Sequence, residues 1–219
     1  MSKNIRTFSV VVAAVVLVVG TYIAYEKYTK RNSVVALVTD TGTRLLAALQ
    51  AQAAGGGNAD AQASAKAVEA HAKALQDMNS SSFRPLADAA DDYFVTAREI
   101  LRRQADIQRT RAGVTANLDA LSSHIKTDRG RGDWTRQAMQ LKEALDKDAR
   151  DYKVAVESYA SLLQSLPRSQ ATVAPFAEPG LVIDERLIRD ARQSALDAYA
   201  ATDQNIRRVT NLDAYRKGR

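Results

Sequence analysis

A strict alternation of four- and three-residue steps runs through the middle of this chain and constrains its fold more than any other feature. Twelve positions from Leu86 to Ile125 follow it, and ten of the twelve are apolar. Side chains spaced in this way line one face of an α-helix, and such a seam is buried only against a partner helix. The stretch therefore predicts a helix from Pro85 to about Thr127, roughly 65 Å long. The seam positions that we expect to form a helical core or a partner interface are Leu86, Tyr93, Ile100, Gln104, Ile107, Arg111, Val114, Leu118, Leu121 and Ile125.

A second long helix is predicted directly after the first. The segment "DRGRGD" at 128–133 contains two glycines that interrupt the pattern, and its last residue, Asp133, is suited to cap a new helix. Apolar residues then recur from Trp134 to Leu166 at a mean spacing of about 3.6. Two long helices joined by a short loop predict an antiparallel hairpin over residues 85–166. The seam positions expected on its second helix are Trp134, Leu141, Leu145, Tyr152, Val156, Tyr159 and Leu163.

Two polar residues, Gln104 and Arg111, interrupt the seam of the first long helix. A polar residue at a core position can fix the register or the number of helices, and the alternative is that the stripe faces solvent there. Both interpretations remain open from the sequence. Phe94 and Leu101 lie beside the seam and widen the apolar stripe, which favours a bundle of several helices at that end over a two-stranded coil.

The segments around the hairpin also read as helices and breaks. Val34, Val38, Thr41, Leu45 and Leu49 predict a helix over 32–54, and residues 55–84 combine three glycines with an alanine-rich helix. Residues 167–183 hold three of the four prolines and predict a connection that cannot continue a helix. Residues 184–219 predict a last helix, capped by Asp184 and running to about Tyr215, and a basic tail. The fold class is therefore all-α: an elongated helical bundle or coiled-coil hairpin that follows a single N-terminal transmembrane helix.

The transmembrane prediction comes from residues 1–31, which form a short tail and an apolar run. No charged residue occurs from Thr7 to Tyr25, a length of 19 that spans about 28 Å as a helix, close to the thickness of a bilayer core. Three tyrosines followed by three cations then resemble an interfacial belt. A cleaved signal peptide is the alternative, but its apolar core is usually shorter. The expected anchor residues are Phe8, Val12, Val15, Val19, Tyr22, Ile23 and Tyr25.

The charge distribution bears on location and on partners. The net charge of +6 divides into +4 for residues 1–31, +3 for the C-terminal tail and −1 for the body between them. A nearly neutral body lacks the positive field that nucleic acids require, so we expect no nucleic-acid partner. The favoured location is a single-pass protein of the bacterial inner membrane, held by a signal-anchor, with its body in the periplasm. The reverse topology remains open because cations flank the apolar run on both sides.

No pattern in the sequence indicates an active site. Cysteine is absent, the two histidines lack metal-ligand spacing, and the phosphate-loop and hydrolase motifs are missing. We therefore expect a non-enzymatic protein without cofactor or metal. The first hypothesis is a scaffold or accessory subunit of a membrane or envelope complex, which binds the bilayer through residues 7–25 and binds proteins, or itself, through helical seams. The second is a sensor-like bundle that holds a ligand near Trp134, Tyr152 and Tyr159.

Overall fold

The computed structural model describes residues 2–57, 60–78, 83–127, 133–176 and 182–211, with side chains from Thr21 onward except at Ile23. Helices account for nearly all of these residues, and no strand occurs among them, which confirms the prediction of an all-helical fold. The five helices are α1 (Ser2–Ala53), α2 (Ala61–Asp77), α3 (Arg84–Ile125), α4 (Trp134–Val173) and α5 (Glu185–Thr210).

The α3 and α4 helices form an antiparallel hairpin at the centre of the bundle. Thr96 Oγ1 lies 2.9 Å from Ser169 Oγ, and farther along Asn117 Nδ2 donates to Asp148 Oδ2 at 2.9 Å. The contacts thus advance along α3 while they retreat along α4. Side chains from both helices fill the space between them at low exposure, as the two predicted apolar stripes require.

The α1 and α5 helices pack on this hairpin, and both run in the direction of α3. Gln104 of α3 donates from Nε2 to the carbonyl of Ala48 of α1. Closer to the start of both helices, His71 contacts Thr41 of α1 and the ring of Phe94 of α3. Both contacts advance in the same sense, so α1 runs parallel to α3. The ring of Tyr152 of α4 contacts the ring of Tyr199 of α5, and Gln170 near the end of α4 accepts a hydrogen bond from the amide of Ile183, two residues before α5. The α5 helix is therefore antiparallel to α4.

This arrangement fixes the two ends of the bundle. Because Gln104 lies level with Ala48, Arg84 at the start of α3 is level with about Tyr28 of α1. At the other end α3 continues for about 20 residues, or roughly 30 Å, past the level of Ala48. Among the residues of α1 whose side chains are described, Val34 is the first that is buried. The part of α1 before about Tyr28 therefore extends beyond the start of α3, at the end opposite the hairpin turn.

The end of α1 is set by the first of the three consecutive glycines that follow it. Gly55 has a φ of +75°, and its amide donates to the carbonyl of Gln52, while Gly56 donates to Ala51, both at 3.0 Å. This pair of hydrogen bonds is the Schellman motif, in which a left-handed glycine satisfies the last carbonyls of a helix. The break predicted at the three glycines is therefore present, and it has the geometry of a C-terminal cap for α1.

The proposed connection over 167–183 was wrong in its first part, because α4 continues through Pro167 to Val173. Proline removes one helical hydrogen bond, but tertiary packing can hold the helix together around it. Leu166, Gln170 and Val173 are all buried here. Gln170 Oε1 also accepts a hydrogen bond from the amide of Ile183 at 2.9 Å, which ties the last turns of α4 to the start of α5.

The two predicted aspartate caps differ in detail. Asp184 caps α5, since its Oδ1 accepts from the amide of Arg186 at 2.8 Å. Asp133 occupies the N-cap position of α4 without a side-chain cap, and its carboxylate instead pairs with Arg136 at 2.8 Å. The α5 helix ends at Thr210, short of the predicted Tyr215, and residues 212–219 lie outside the described chain.

The α1 helix runs unbroken from Ser2 to Ala53 and joins the predicted anchor to the bundle. Among the residues whose side chains are described, no helix is long and apolar enough to cross a membrane. Most of the predicted anchor falls outside that part of the chain. The anchor residues concerned are Phe8, Val12, Val15, Val19 and Ile23.

Candidate interaction surfaces

Most of the predicted seam forms the interior of the α3/α4 hairpin. A packed seam of this kind is unavailable to another protein while the hairpin stays closed, so any partner surface must lie elsewhere. The fully buried members are Leu86, Tyr93, Ile100, Gln104, Ile107, Val114, Leu121, Leu145, Tyr152, Val156, Tyr159 and Leu163. The half-buried members are Leu118, Ile125, Trp134 and Leu141.

The two polar seam residues adopt the two different arrangements that the sequence left open. Gln104 is fully buried, and its Nε2 donates to the Ala48 carbonyl at 2.9 Å, which joins α3 to the last turns of α1. Its Oε1 has no hydrogen-bond partner among the described residues. Arg111, two turns farther along α3, is exposed. Arg111 therefore faces solvent near the level at which α1 has ended, and the seam returns to the interior at Val114 and Leu121.

The far end of the hairpin is closed by a reciprocal contact between His124 and Trp134. Their rings stack with centroids 5.1 Å apart, and the indole Nε1 donates to the His124 carbonyl at 3.2 Å. His124 Nε2 lies 2.9 Å from the Trp134 carbonyl. These contacts join the last turn of α3 to the first turn of α4, so Trp134 has a structural role here.

The tyrosines suggested as ligand-lining residues are packed in the core. Tyr152 and Tyr159 are 1% and 0% exposed, and Tyr152 meets Tyr199 edge-on at 5.7 Å. Burial raises the pKa of both hydroxyls above the ordinary range. The Tyr159 hydroxyl lacks a hydrogen-bond partner among the described residues.

A cleft of about 500 Å³ opens on the outer side of the α3/α4 hairpin. Its floor includes Gly113, where a Cβ atom would lie only 2.5 Å from Asp148 Oδ2. The absence of a side chain thus lets the Asp148 carboxylate approach α3 and accept from Asn117 Nδ2. Arg103 and Arg109 both pair with Asp106 at the rim. Asp148 and Asp151 also line the cleft, so charges of both signs occur in it, and the arrangement does not favour a particular ligand.

A polar cluster joins α1 to α2. His71 Nδ1 lies 2.9 Å from Thr41 Oγ1, and its Nε2 lies 3.2 Å from Asp40 Oδ2, which also accepts from Arg44 at 2.7 Å. The ring of Phe94 on α3 covers the imidazole at a centroid distance of 6.1 Å. Because Nε2 faces a carboxylate, we infer that it carries the proton, which leaves Nδ1 to accept from the threonine hydroxyl.

Thr41, His71 and Asp40 bring together a hydroxyl, an imidazole and a carboxylate, as the serine hydrolase triad does, but here they are placed for structure. Thr41 is fully buried, so its hydroxyl is closed to a substrate. The cluster links two helices that otherwise meet through small side chains, since Val68 and Leu75 are the only large apolar residues among those buried on α2. Sequence reasoning missed this contact, because nothing in the sequence relates His71 to residues thirty positions earlier.

Three tyrosines are exposed on α1 at the end of the bundle opposite the hairpin turn. Tyr22, Tyr25 and Tyr28 are 67%, 70% and 64% exposed, in contrast to the buried tyrosines of α3 and α4. Exposed aromatic rings of this size usually indicate a contact with lipid or protein. Glu26, which lies between Tyr25 and Tyr28, forms an ion pair with Lys30 at 2.6 Å.

Replacement of Gln104 will show whether its burial stabilises the bundle. We expect Gln104→Leu to change the free energy of unfolding by no more than about 1 kcal/mol, because it removes both the hydrogen bond and the unpaired oxygen. Gln104→Glu should cost about 3 to 5 kcal/mol at pH 7, since it buries an unpaired charge. Urea denaturation followed by circular dichroism measures both. Equal losses for the two variants would contradict the burial of this position.

The bundle should lose stability as the pH falls below about 6.5, the ordinary pKa of histidine. Burial lowers the pKa of His71, against the smaller opposing effect of Asp40, while Arg44 lowers it further. The unfolded chain then binds a proton that the folded chain resists, so the stabilising effect is complete above that pH and is lost below it. His71→Gln should flatten this part of the stability curve measured by urea denaturation. An unchanged slope would assign the effect to other groups.

The described surface therefore offers three features: the exposed tyrosines of α1, the cleft between α3 and α4, and the far end of the hairpin. The first is the largest group of exposed aromatic side chains among the described residues. Comparison with protein-family models, curated proteins and solved structures found no match to this chain.

Proposed function

We propose that this chain is a non-enzymatic, membrane-anchored helical protein that holds a rigid bundle away from the bilayer as a scaffold or accessory subunit for other proteins. The observation that carries the proposal is the arrangement of α1. This single helix contains the uncharged run Thr7–Tyr25, the three exposed tyrosines at and just after the end of that run, and then Val34, the first buried residue among those whose side chains are described.

The spacing along α1 supports this arrangement. From Tyr25 to Val34 the helix rises by about 14 Å, a distance comparable to the headgroup layer that separates a bilayer core from water. Tyr22, Tyr25 and Tyr28 lie within or next to this interval, where amphipathic rings are favoured. Lys27, Lys30 and Arg31 are suited to phosphate groups at the same depth. The packed part of the bundle would then begin at the outer boundary of the headgroup layer.

The favoured topology places residues 1–6 in the cytoplasm and the bundle in the periplasm of a bacterial inner membrane. The bundle surface is close to neutral, which suits contacts with proteins better than contacts with nucleic acid. Gly20, Ala13, Ala14 and Ala24 offer small side chains for close packing against other membrane helices, as an accessory subunit requires. A reporter fused to the C-terminus distinguishes this topology from its reverse.

The anchor is tested by membrane fractionation of the full chain. We expect the protein to stay with membranes through a wash at high pH, and the double variant Val12→Arg/Val15→Arg to be released, because charges inside the bilayer core are costly. Val95→Arg/Val154→Arg is the matched control, since both valines are exposed on the bundle, at 43% and 59%. Release of the unmodified protein, or an intact mass that lacks the first residues, would contradict a retained anchor.

The scaffold role is tested by purification of the full chain in mild detergent without crosslinker. We expect at least one other membrane or envelope protein to co-purify in a fixed ratio, and mass spectrometry will identify it. The Val12→Arg/Val15→Arg variant should lose this protein if the complex forms in the membrane. Purification of the chain free of other proteins would contradict the scaffold and favour the ligand-binding bundle.

A further inference from the structure

The outer face of α1 differs from the outer faces of the other helices because it carries almost no charge. This outer face is defined by eight residues at strictly alternating steps of three and four, on the side opposite the buried Val34, Val38, Leu45 and Leu49. Steps of this kind describe a seam for helix pairing. Its members are Tyr22, Tyr25, Thr29, Asn32, Ala36, Thr39, Thr43 and Leu46. All are exposed except Thr39 and Leu46, which are half-buried.

The contrast with the neighbouring helices is clear. The exposed positions of α4 include Lys142, Lys147, Arg150 and Lys153 at intervals of one turn or so, and α2, α3 and α5 also expose charged side chains along their lengths. On α1 the charges nearest to the outer face are Glu26 and Asp40, which lie on the same edge of it. Glu26 is already engaged by Lys30, and Asp40 is engaged by Arg44 and His71. About 36 Å of helix surface is thus left without a free charge between Tyr22 and Leu46.

The threonine hydroxyl groups of this face are satisfied within the helix. Thr29 Oγ1 donates to the Tyr25 carbonyl at 2.9 Å, Thr39 Oγ1 to Val35 at 2.8 Å and Thr43 Oγ1 to Thr39 at 3.0 Å. Each threonine therefore presents its methyl group outward while its polar atom is paired. Burial of these side chains against another helix would leave no hydroxyl unsatisfied and would cost little desolvation. A shallow cleft of about 630 Å³ runs along the same surface from Tyr28 to Thr43.

We propose that the outer face of α1 is a parallel self-association interface between two copies of this chain. In a parallel two-fold pair each residue of the face meets its own counterpart, so a face without charge is self-complementary, whereas charged faces would repel. Asn32 is the one amide in the seam, and an amide both donates and accepts, so two copies can pair across the axis and fix the register. Small side chains at Ala36 and Thr43 permit a close approach.

Membrane anchoring, as proposed above, favours this partner over others but is not required for the contact. Two copies held in one bilayer by the same helix are already parallel and at the same height, which raises their effective concentration. The other possible occupants of this face are a helix from a different protein and lipid. Only self-association brings the outer faces of two copies of α1 close together, so the distance between the two copies distinguishes it from the other two.

The absence of cysteine allows a direct test by disulfide formation in the full chain. Single variants Ala36→Cys and Thr43→Cys are reconstituted in phosphatidylcholine vesicles and oxidised. Arg31→Cys, exposed on the opposite side of the same helix, and Ala63→Cys, exposed on α2, are the matched controls. We expect the two outer-face variants to form homodimers at least ten times faster than the controls. Equal rates at all four positions, or no dimers, would overturn the proposal.

A second variant distinguishes a specific contact between two α1 helices from the mere presence of two copies in the same membrane. Ala36→Glu introduced into the Thr43→Cys protein should abolish the fast reaction, because two carboxylates would meet across the axis, while Ala63→Glu should leave it unchanged. Flotation of the same vesicles measures anchoring independently. Proteins that float without face-dependent crosslinking would refute self-association and leave the anchor in place. Face-dependent dimers in detergent from a chain that does not float would refute the anchor and leave self-association in place.

Discussion

The packing of α3 against α4 is the contact on which the other helices depend, because each of them meets this hairpin at a defined point. Gln104 receives the last turns of α1, Phe94 lies under His71 of α2, and Tyr152 meets Tyr199 of α5. The α2 helix buries mainly small side chains and has little apolar surface of its own. It remains in place because the hairpin and α1 together provide both an apolar surface and a polar cluster. The described part of the bundle is thus organised around one long pair of helices.

The sequence predicts this hairpin well because long helices with regular apolar spacing leave few alternatives. The bounds of α3 differ from the expected ones by one or two residues, and the predicted cap at Asp184 is present. Such features are local, since the helix period and the capping chemistry are both written in neighbouring residues. The same reasoning identified Phe94 and Leu101 as additional core residues, and both are fully buried.

Features that depend on contacts between distant segments could not be predicted in this way. Pro167 reads locally as a helix breaker, yet buried residues on both sides keep α4 intact. Gly113 reads as a weak point in a helix, but it makes room for a carboxylate that comes from α4. The cluster of Asp40, Thr41 and His71 requires that α2 fold back on α1, and no period in the sequence shows this. The candidate surface on α1 is intermediate, since its spacing is visible in the sequence but its exposure is not.

The unbroken α1 helix has a mechanical consequence. No glycine or proline interrupts it between Gly20 and the end of its packed part other than Gly42, which is buried in the bundle, so the helix cannot easily bend where it enters the bundle. The hairpin extends about 60 Å from Arg84 to Ile125 in the same direction. In an anchored chain, a helix tilt of about 20°, which is average for membrane helices, would move the far end of the hairpin sideways by roughly 20 Å. Small changes of orientation in the bilayer would therefore become large displacements at the end that carries His124 and Trp134.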